Sequence, residues 1–279
     1  MPFNALESII DENQFITTDN YDLFSRESKN YYYYKRDFIF HSGVWRDKKV
    51  KSFFSNLGSM NRKNLVVGHS DIPLTKKQIA ILKCLNIKHI YAVNGATIPS
   101  ISSTIPLGLT NDCDDSPLHR VLGNTKHFLK AHQYSDFPKD FTNTIFMSFN
   151  LMNGNSERKK ILDLGKNLPN VINRAPVYDS NGRINYLIDL RKNNLVPCPA
   201  GNGIDTHRLW ETLYMGGTPV VRRHALNIHV VKDLPVLLVN NWEEMYDTKK
   251  MEREWEKIHQ NVFDYSKLTI KYYINLFSN

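Results

Sequence analysis

Short runs of consecutive apolar residues recur along the chain. Each is followed by a polar or glycine-containing break and then by apolar residues three or four apart. The first sharp case is residues 64–68 (NLVVG), an uninterrupted apolar run that predicts a strand covered on both faces. Thr75 can cap a helix over residues 75–85, where Ile79, Leu82 and Leu85 share a face. Residues 87–93 (IKHIYAV) read as the next strand and Asn94-Gly95 as a turn. Ile105-Pro106-Leu107-Gly108-Leu109 closes a further strand. Strand, helix, strand is the order of a parallel α/β sheet. Residues 110–140 read as a connection that carries a helix over residues 118–132.

The same order then restarts. Residues 144–149 (TIFMSF) predict a strand, and Asn155 or Ser156 caps a helix reaching about residue 168. Val171-Ile172 is a short strand, residues 185–192 a helix and residues 195–198 a strand. A glycine loop leads into a helix over residues 205–215, which Gly216-Gly217 stop. Residues 218–222 (TPVVR) and 235–239 (PVLLV) are the last strands, and residues 247–260 and 265–277 form a helical tail. Upstream of all this the chain is polar and aromatic. The four tyrosines at 31–34 fit packing at a sheet edge, and residues 37–41 (DFIFH) fit a short strand. No internal sequence repeat is visible.

Length turns this order into two units. A chain of 279 residues is long for one domain of about 150 residues, and the boundary falls near Lys139, giving 1–138 and 139–279. With 41% hydrophobic and 23% charged residues, each unit can bury a core. The net charge of +8 is spread over short clusters, with no block long enough for a nucleic-acid tail. The three cysteines, Cys84, Cys113 and Cys198, form no CxxC pair, which argues against a disulfide framework or a zinc site. The first residues have early acids and no basic n-region, and no run approaches the roughly 20 apolar residues of a membrane helix. The expectation is a soluble, cytoplasmic protein with no transmembrane segment and no nucleic-acid partner.

Chemistry concentrates at residues 194–224. A strand ending at Cys198 runs into Pro199-Ala200-Gly201-Asn202-Gly203, whose glycines let backbone approach a ligand. Asp205 or Thr206 can cap the helix that follows, and a helix start after a glycine loop favours an anion. Arg208 lies in the first turn and suits a diphosphate. Glu211, three residues on, shares its face and suits two ribose hydroxyls. The same features also describe an ordinary helix start with a cap and an Arg–Glu pair. The loop is neither a P-loop nor Gly-x-Gly-x-x-Gly, because position 206 is Thr.

Residues 199–211 with Gly216-Gly217-Thr218-Pro219-Val220-Val221 resemble the nucleotide-sugar half of exostosin-like glycosyltransferases. There a Pro-x-Gly loop is followed by an Arg-x-x-Glu helix and a Gly-x-x-Pro-Val strand. Residues 144–162 resemble the strand–Asn–Arg–helix opening of that half. Residues 233–244 (DLPVLLVNNWEE) resemble its closing strand. The resemblance covers roughly residues 60–275 and is strongest over 195–244. It implies a GT-B-like architecture, two Rossmann-like domains with an interdomain cleft, which needs no metal. The donor would be a nucleoside-diphosphate sugar, with UDP favoured and GDP open. Gly201, Asn202 and Gly203 would approach the diphosphate, Arg208 would neutralise it, Glu211 would hold the ribose, and Arg158 is a second cation. The acceptor, a glycan or glycoconjugate hydroxyl, would lie on the N-terminal side.

Inverting transfer needs a base for the acceptor hydroxyl. Asp71, which follows the strand at 64–68, is the first candidate, although it also fits a turn before Ile72-Pro73. His69 is the second and His41 the third. Asp112, Asp114 and Asp115 contain an Asp-x-Asp, but the motif sits in a connecting loop, where a solvated role fits better than a metal site. His119, His127 and His132 fit surface or packing positions. His207 and His224 flank the phosphate helix and the next strand. The alternative function is a non-catalytic nucleotide- or glycan-binding protein of the same fold. A basic nucleic-acid-binding protein is a further one, opposed by the absence of basic-aromatic stripes.

Overall fold

The computed structural model describes residues 14–28, 31–35, 63–68, 71, 73–83, 86–112, 116–134, 140–151, 156–224 and 228–279. Helix α1 (Thr18–Ser28) leads into strand β1 (Tyr31–Lys35). It is followed by β2 (Asn64–Gly68), α2 (Lys76–Lys83), β3 (Ile90–Val93) and β4 (Ser102–Ile105). These four strands form one parallel sheet in the order β1-β2-β3-β4. Helices α3 (Pro117–Leu122) and α4 (Lys126–Gln133) take the place of the single helix expected over 118–132. The break falls at Gly123, whose N–H caps α3 and which packs directly on the backbone of Asn111.

The second sheet is also parallel. Its strands are β5 (Ile145–Met147), β6 (Val171–Asn173), β7 (Val196–Pro197), β8 (Pro219–Arg222) and β9 (Leu237–Val239). β5 pairs with β6, and β7-β8-β9 form a ladder. A bridge between Ile145 and Leu195, with Phe146 N–H donating to the Leu195 carbonyl at 2.9 Å, ties β5 to β7. The combined order is therefore β6-β5-β7-β8-β9. Helices α5 (Ser156–Gly165), α6 (Ser180–Lys192) and α7 (His207–Tyr214) connect these strands. α8 (Thr248–Gln260) and α9 (Ile270–Ser278) follow. The chain is thus α/β with parallel sheets, as the alternation of runs predicts. Among the described residues no helix is long and apolar enough to cross a membrane.

The tyrosine run shows why period 2 matters. Tyr31 is buried in one cluster with Val66, Tyr33 packs partly against it, and Tyr32 packs against the opposite cluster with Leu65 and Val67. β1 is the edge of its sheet, and β2 inside it is buried at all five positions. The expected strand over 37–41 lies outside the described residues.

The segment from Ile16 and the last helix both pack back on the rest of the molecule. Phe277 of α9 packs its ring on Tyr21, Tyr31 and Tyr91 of the first sheet's layer. Asn64 Nδ2 donates to the Phe277 carbonyl at 2.6 Å. Ile16 N–H donates to Tyr214 Oη at 3.0 Å, and Tyr214 Oη donates to the Leu268 carbonyl at 2.6 Å. α7 ends as its glycines predict. Gly216 adopts φ 73°, its N–H donates to Leu213 and that of Gly217 to Thr212, the hydrogen-bond pattern of a Schellman turn.

Candidate functional site

The carboxyl ends of strands from both sheets meet at a cleft of about 590 Å³. Asp71 follows β2, and Leu107 and Thr110 follow β4. Ser148 and Asn150 follow β5, Arg174 to Tyr178 follow β6, and Gly201 to Asp205 follow β7. Parallel strands place ligands there, since loops at those ends carry free backbone groups and converge on a crevice. The volume suits a ligand of cofactor or nucleotide size.

One wall is electrostatically closed. Arg183 on α6 is 2% exposed and Glu211 on α7 is 5% exposed. Arg183 Nη2 donates to Glu211 Oε1 at 2.8 Å, and Tyr186 Oη donates to Glu211 Oε2 at 2.8 Å. Burial pushes the Glu211 carboxyl up, but the Arg183 charge and these two hydrogen bonds outweigh it and hold Glu211 below its ordinary value. Burial keeps the Tyr186 phenol protonated, so it remains a donor. Nearby, Arg174 is paired with Asp189 at 2.5 Å.

The opposite corner carries two cations that form no ion pair among the described residues; Glu157 close by is paired with Arg222. Arg158 Nη1 donates to the Asn150 carbonyl at 2.7 Å and Nε to the Ala200 carbonyl at 3.2 Å. Arg208 Nη2 donates to the Ser148 carbonyl. Its Cζ lies 5.3 Å from the ring centres of both Phe149 and Tyr186. Neither guanidinium pairs with a carboxylate of a described residue. Arg208 Nη1 is buried with no acceptor among the described residues. Burial, followed by the charge of Arg208, lowers the pKa of Arg158, so the two cations repel each other inside the cleft. Carbonyls hold both in place, leaving charge and donors for a ligand anion.

The glycine loop does its work through the space it leaves. Gly201 N–H is engaged with the Gly203 carbonyl at 2.9 Å. A Cβ on Gly201 would lie 2.8 Å from Arg158 Nη2, and one on Gly203 would lie 2.7 Å from Asn94 Nδ2. The first glycine admits the arginine, and the second admits the other half of the chain. Asp205 completes that junction. Its carboxylate accepts from Leu107 N–H at 2.7 Å and Trp210 Nε1 at 2.8 Å, while its own N–H donates to Asn94 Oδ1 at 2.9 Å. Burial outweighs the hydrogen bonds to Asp205 and pushes its carboxyl up to about 7.

No protein-family model and no curated protein sequence matches the chain. The site is therefore read from its own geometry.

The structure brings most of the expected residues together. Asp71, Arg158, Gly201, Asn202, Gly203, Asp205, Thr206, Arg208 and Glu211 all line the cleft. Within it, Glu211 is ion-paired, Asp205 is bonded across the junction, and Thr206 sits at the N-cap without a side-chain cap bond. His41, His69, Asp114 and Asp115 lie outside the described residues. Asp112 is exposed and away from the cleft lining. No metal-ligating group of three or more side chains comes together among the described residues. His127 is buried, with its ring on the Val121 carbonyl, and His119 reaches the cleft. Sequence reasoning missed Arg183, Tyr186, Arg174 and Tyr178. The signal available was Asp179, which caps α6 through Gly182 N–H and so starts that helix at Ser180, ahead of the expected residue 185. Arg183 and Tyr186 then share one face.

Proposed function

We propose that the protein is a glycosyltransferase of GT-B-like arrangement. It takes a nucleoside-diphosphate sugar and passes the sugar, with inversion, to a hydroxyl of a glycan or glycoconjugate. The observation that carries this is the pair of cleft guanidiniums, Arg158 and Arg208, neither ion-paired with a described residue. Such a pair matches a diphosphate, and its charge would stabilise the diphosphate as it leaves. Val177 and Tyr178, 55% and 49% exposed and lining the same cleft, offer a surface for the nucleobase. UDP is favoured by the exostosin-like resemblance of residues 195–244. The two cations supply the charge that a divalent ion supplies elsewhere, so the reading requires no metal.

The test is thermal unfolding with UDP, GDP and UMP, in EDTA and in manganese. Saturating nucleotide stabilises a protein by about 2.7 kcal/mol at a hundredfold excess over Kd. UDP should raise Tm in EDTA, UMP less so, and Arg208→Ala should abolish the rise. A rise that needs manganese shifts the diphosphate to a metal. No rise with any nucleotide rejects the proposal. Binding with no turnover of any donor selects the non-catalytic alternative.

A further inference from the structure

Among the cleft groups that the diphosphate corner leaves unused, His207 is fixed as a proton acceptor by its own hydrogen bond. His207 opens α7 and lines the cleft. Its Nδ1 lies 2.8 Å from the Gly108 carbonyl oxygen. A carbonyl only accepts, so Nδ1 carries the proton and Nε2 keeps its lone pair. Nε2 makes no hydrogen bond to a described residue. The ring is held firmly. Gly108 adopts φ 74°, and a Cβ there would meet the Ile16 carbonyl oxygen at 2.1 Å, so the carbonyl that fixes the imidazole belongs to a tightly packed turn.

The surroundings favour a neutral ring. Burial lowers its pKa, and the Arg183 guanidinium on α6 acts the same way. The Gly108 bond and the carboxylates of Glu211, on the same helix, and Asp71, after β2, oppose them with a smaller effect. The helix start also disfavours imidazolium. At neutral pH the cleft that holds Arg158 and Arg208 is therefore also lined by a neutral imidazole, a proton acceptor.

We propose that His207 is the general base of the transfer reaction, an assignment that rests on the glycosyl-transfer reading above. The acceptor O–H gives its proton to Nε2 as its oxygen bonds to the anomeric carbon. The bond from that carbon to the diphosphate oxygen breaks, and its electron pair leaves with the diphosphate, facing Arg158 and Arg208. The imidazolium then releases the proton to water. Asp71 faces His207 across the cleft and stabilises the imidazolium as it forms, so one acid–base pair draws on both halves of the chain.

Water serves as the acceptor in the test. UDP release is followed from UDP-glucose, UDP-galactose and UDP-N-acetylglucosamine, and UDP affinity is measured by calorimetry, for wild type, His207→Asn, His207→Ala and Asp71→Asn. His207→Asn keeps an amide donor for the Gly108 carbonyl but has no base. It should bind UDP within about threefold of wild type and lose about 10²- to 10⁴-fold in turnover. It should also lose the acid limb of the kcat/KM profile, which in wild type should lie below the ordinary imidazole value of about 6.5. Asp71→Asn should lose about tenfold and keep the limb. Turnover by His207→Asn within threefold of wild type, or an unchanged acid limb, overturns the assignment. So does a wild type that binds UDP and releases none from any donor. A wild type that does not bind UDP fails the functional reading itself, a distinct result.

Discussion

Two guanidinium sites share the ring of Tyr186. Arg183 and Arg208 each place Cζ 5.3 Å from its centre. On the Arg183 side the charge is answered by Glu211, the phenol donates to the same carboxylate, and burial is nearly complete. On the Arg208 side another arginine, Arg158, adds a like charge, and among the described residues carbonyls and rings hold the two. Chemically similar groups on adjacent helices thus have opposite status. A buried pair whose partners satisfy each other belongs to the scaffold, because removing either charge strands the other. Two cations packed together gain nothing from each other and persist where a ligand supplies the missing anion. The cleft wall is therefore structural on one side and receptive on the other.

The contrast breaks most sharply in stability. Arg183→Ala should cost about 3–5 kcal/mol in urea unfolding, since Glu211 is left buried without its cation. Arg208→Ala should stay within about 1 kcal/mol, because the loss of stacking is offset by relief of repulsion with Arg158. Equal costs for the two would erase the distinction between scaffold and site.

Asp205 sharpens the comparison by supplying a buried acid with no ion pair among the described residues. Glu211 sits below the ordinary carboxyl value, whereas Asp205 sits near 7. For Asp205 the folded value is the higher one, so its contribution is full below the unfolded value of about 4. It is lost as pH rises through about 7. Asp205→Asn, always neutral, should therefore gain on wild type by about 2 kcal/mol between pH 5 and pH 8. Unfolding free energies at the two pH values check this, and a pH-independent difference would contradict it. The smallest effect belongs to Gly201→Ala. Its Cβ would press on Arg158 Nη2 and should weaken UDP binding by about tenfold, roughly 1.4 kcal/mol, with little change in Tm. Unaltered binding would show that Arg158 need not hold its present position.

Much of this is legible in the sequence. The buried run at 64–68 is a strand over those same residues, and the tyrosine run lies at a sheet edge. The glycine loop, Arg158, Arg208 and Asp71 all reach the cleft. What was not legible is how each residue is occupied. Gly201 looked like room for a ligand and is room for Arg158. Glu211, expected at the ribose, lines the cleft and is also bonded by an arginine 28 residues away. Asp205 looked like a helix cap and joins Leu107 to Trp210.

The sequence by itself determined the alternation of strands and helices, the parallel α/β class and the placing of polar residues after strand ends. Those features follow from short-range periodicity and from glycine and capping residues acting on their own segments. Only the tertiary structure decided which charges are answered and which are not, that Asn94 and Leu107 meet Asp205, and that the last helix returns to the first sheet. Such pairings depend on distances between residues far apart in the chain, and charge interactions are set by those distances and by burial, neither of which local pattern encodes.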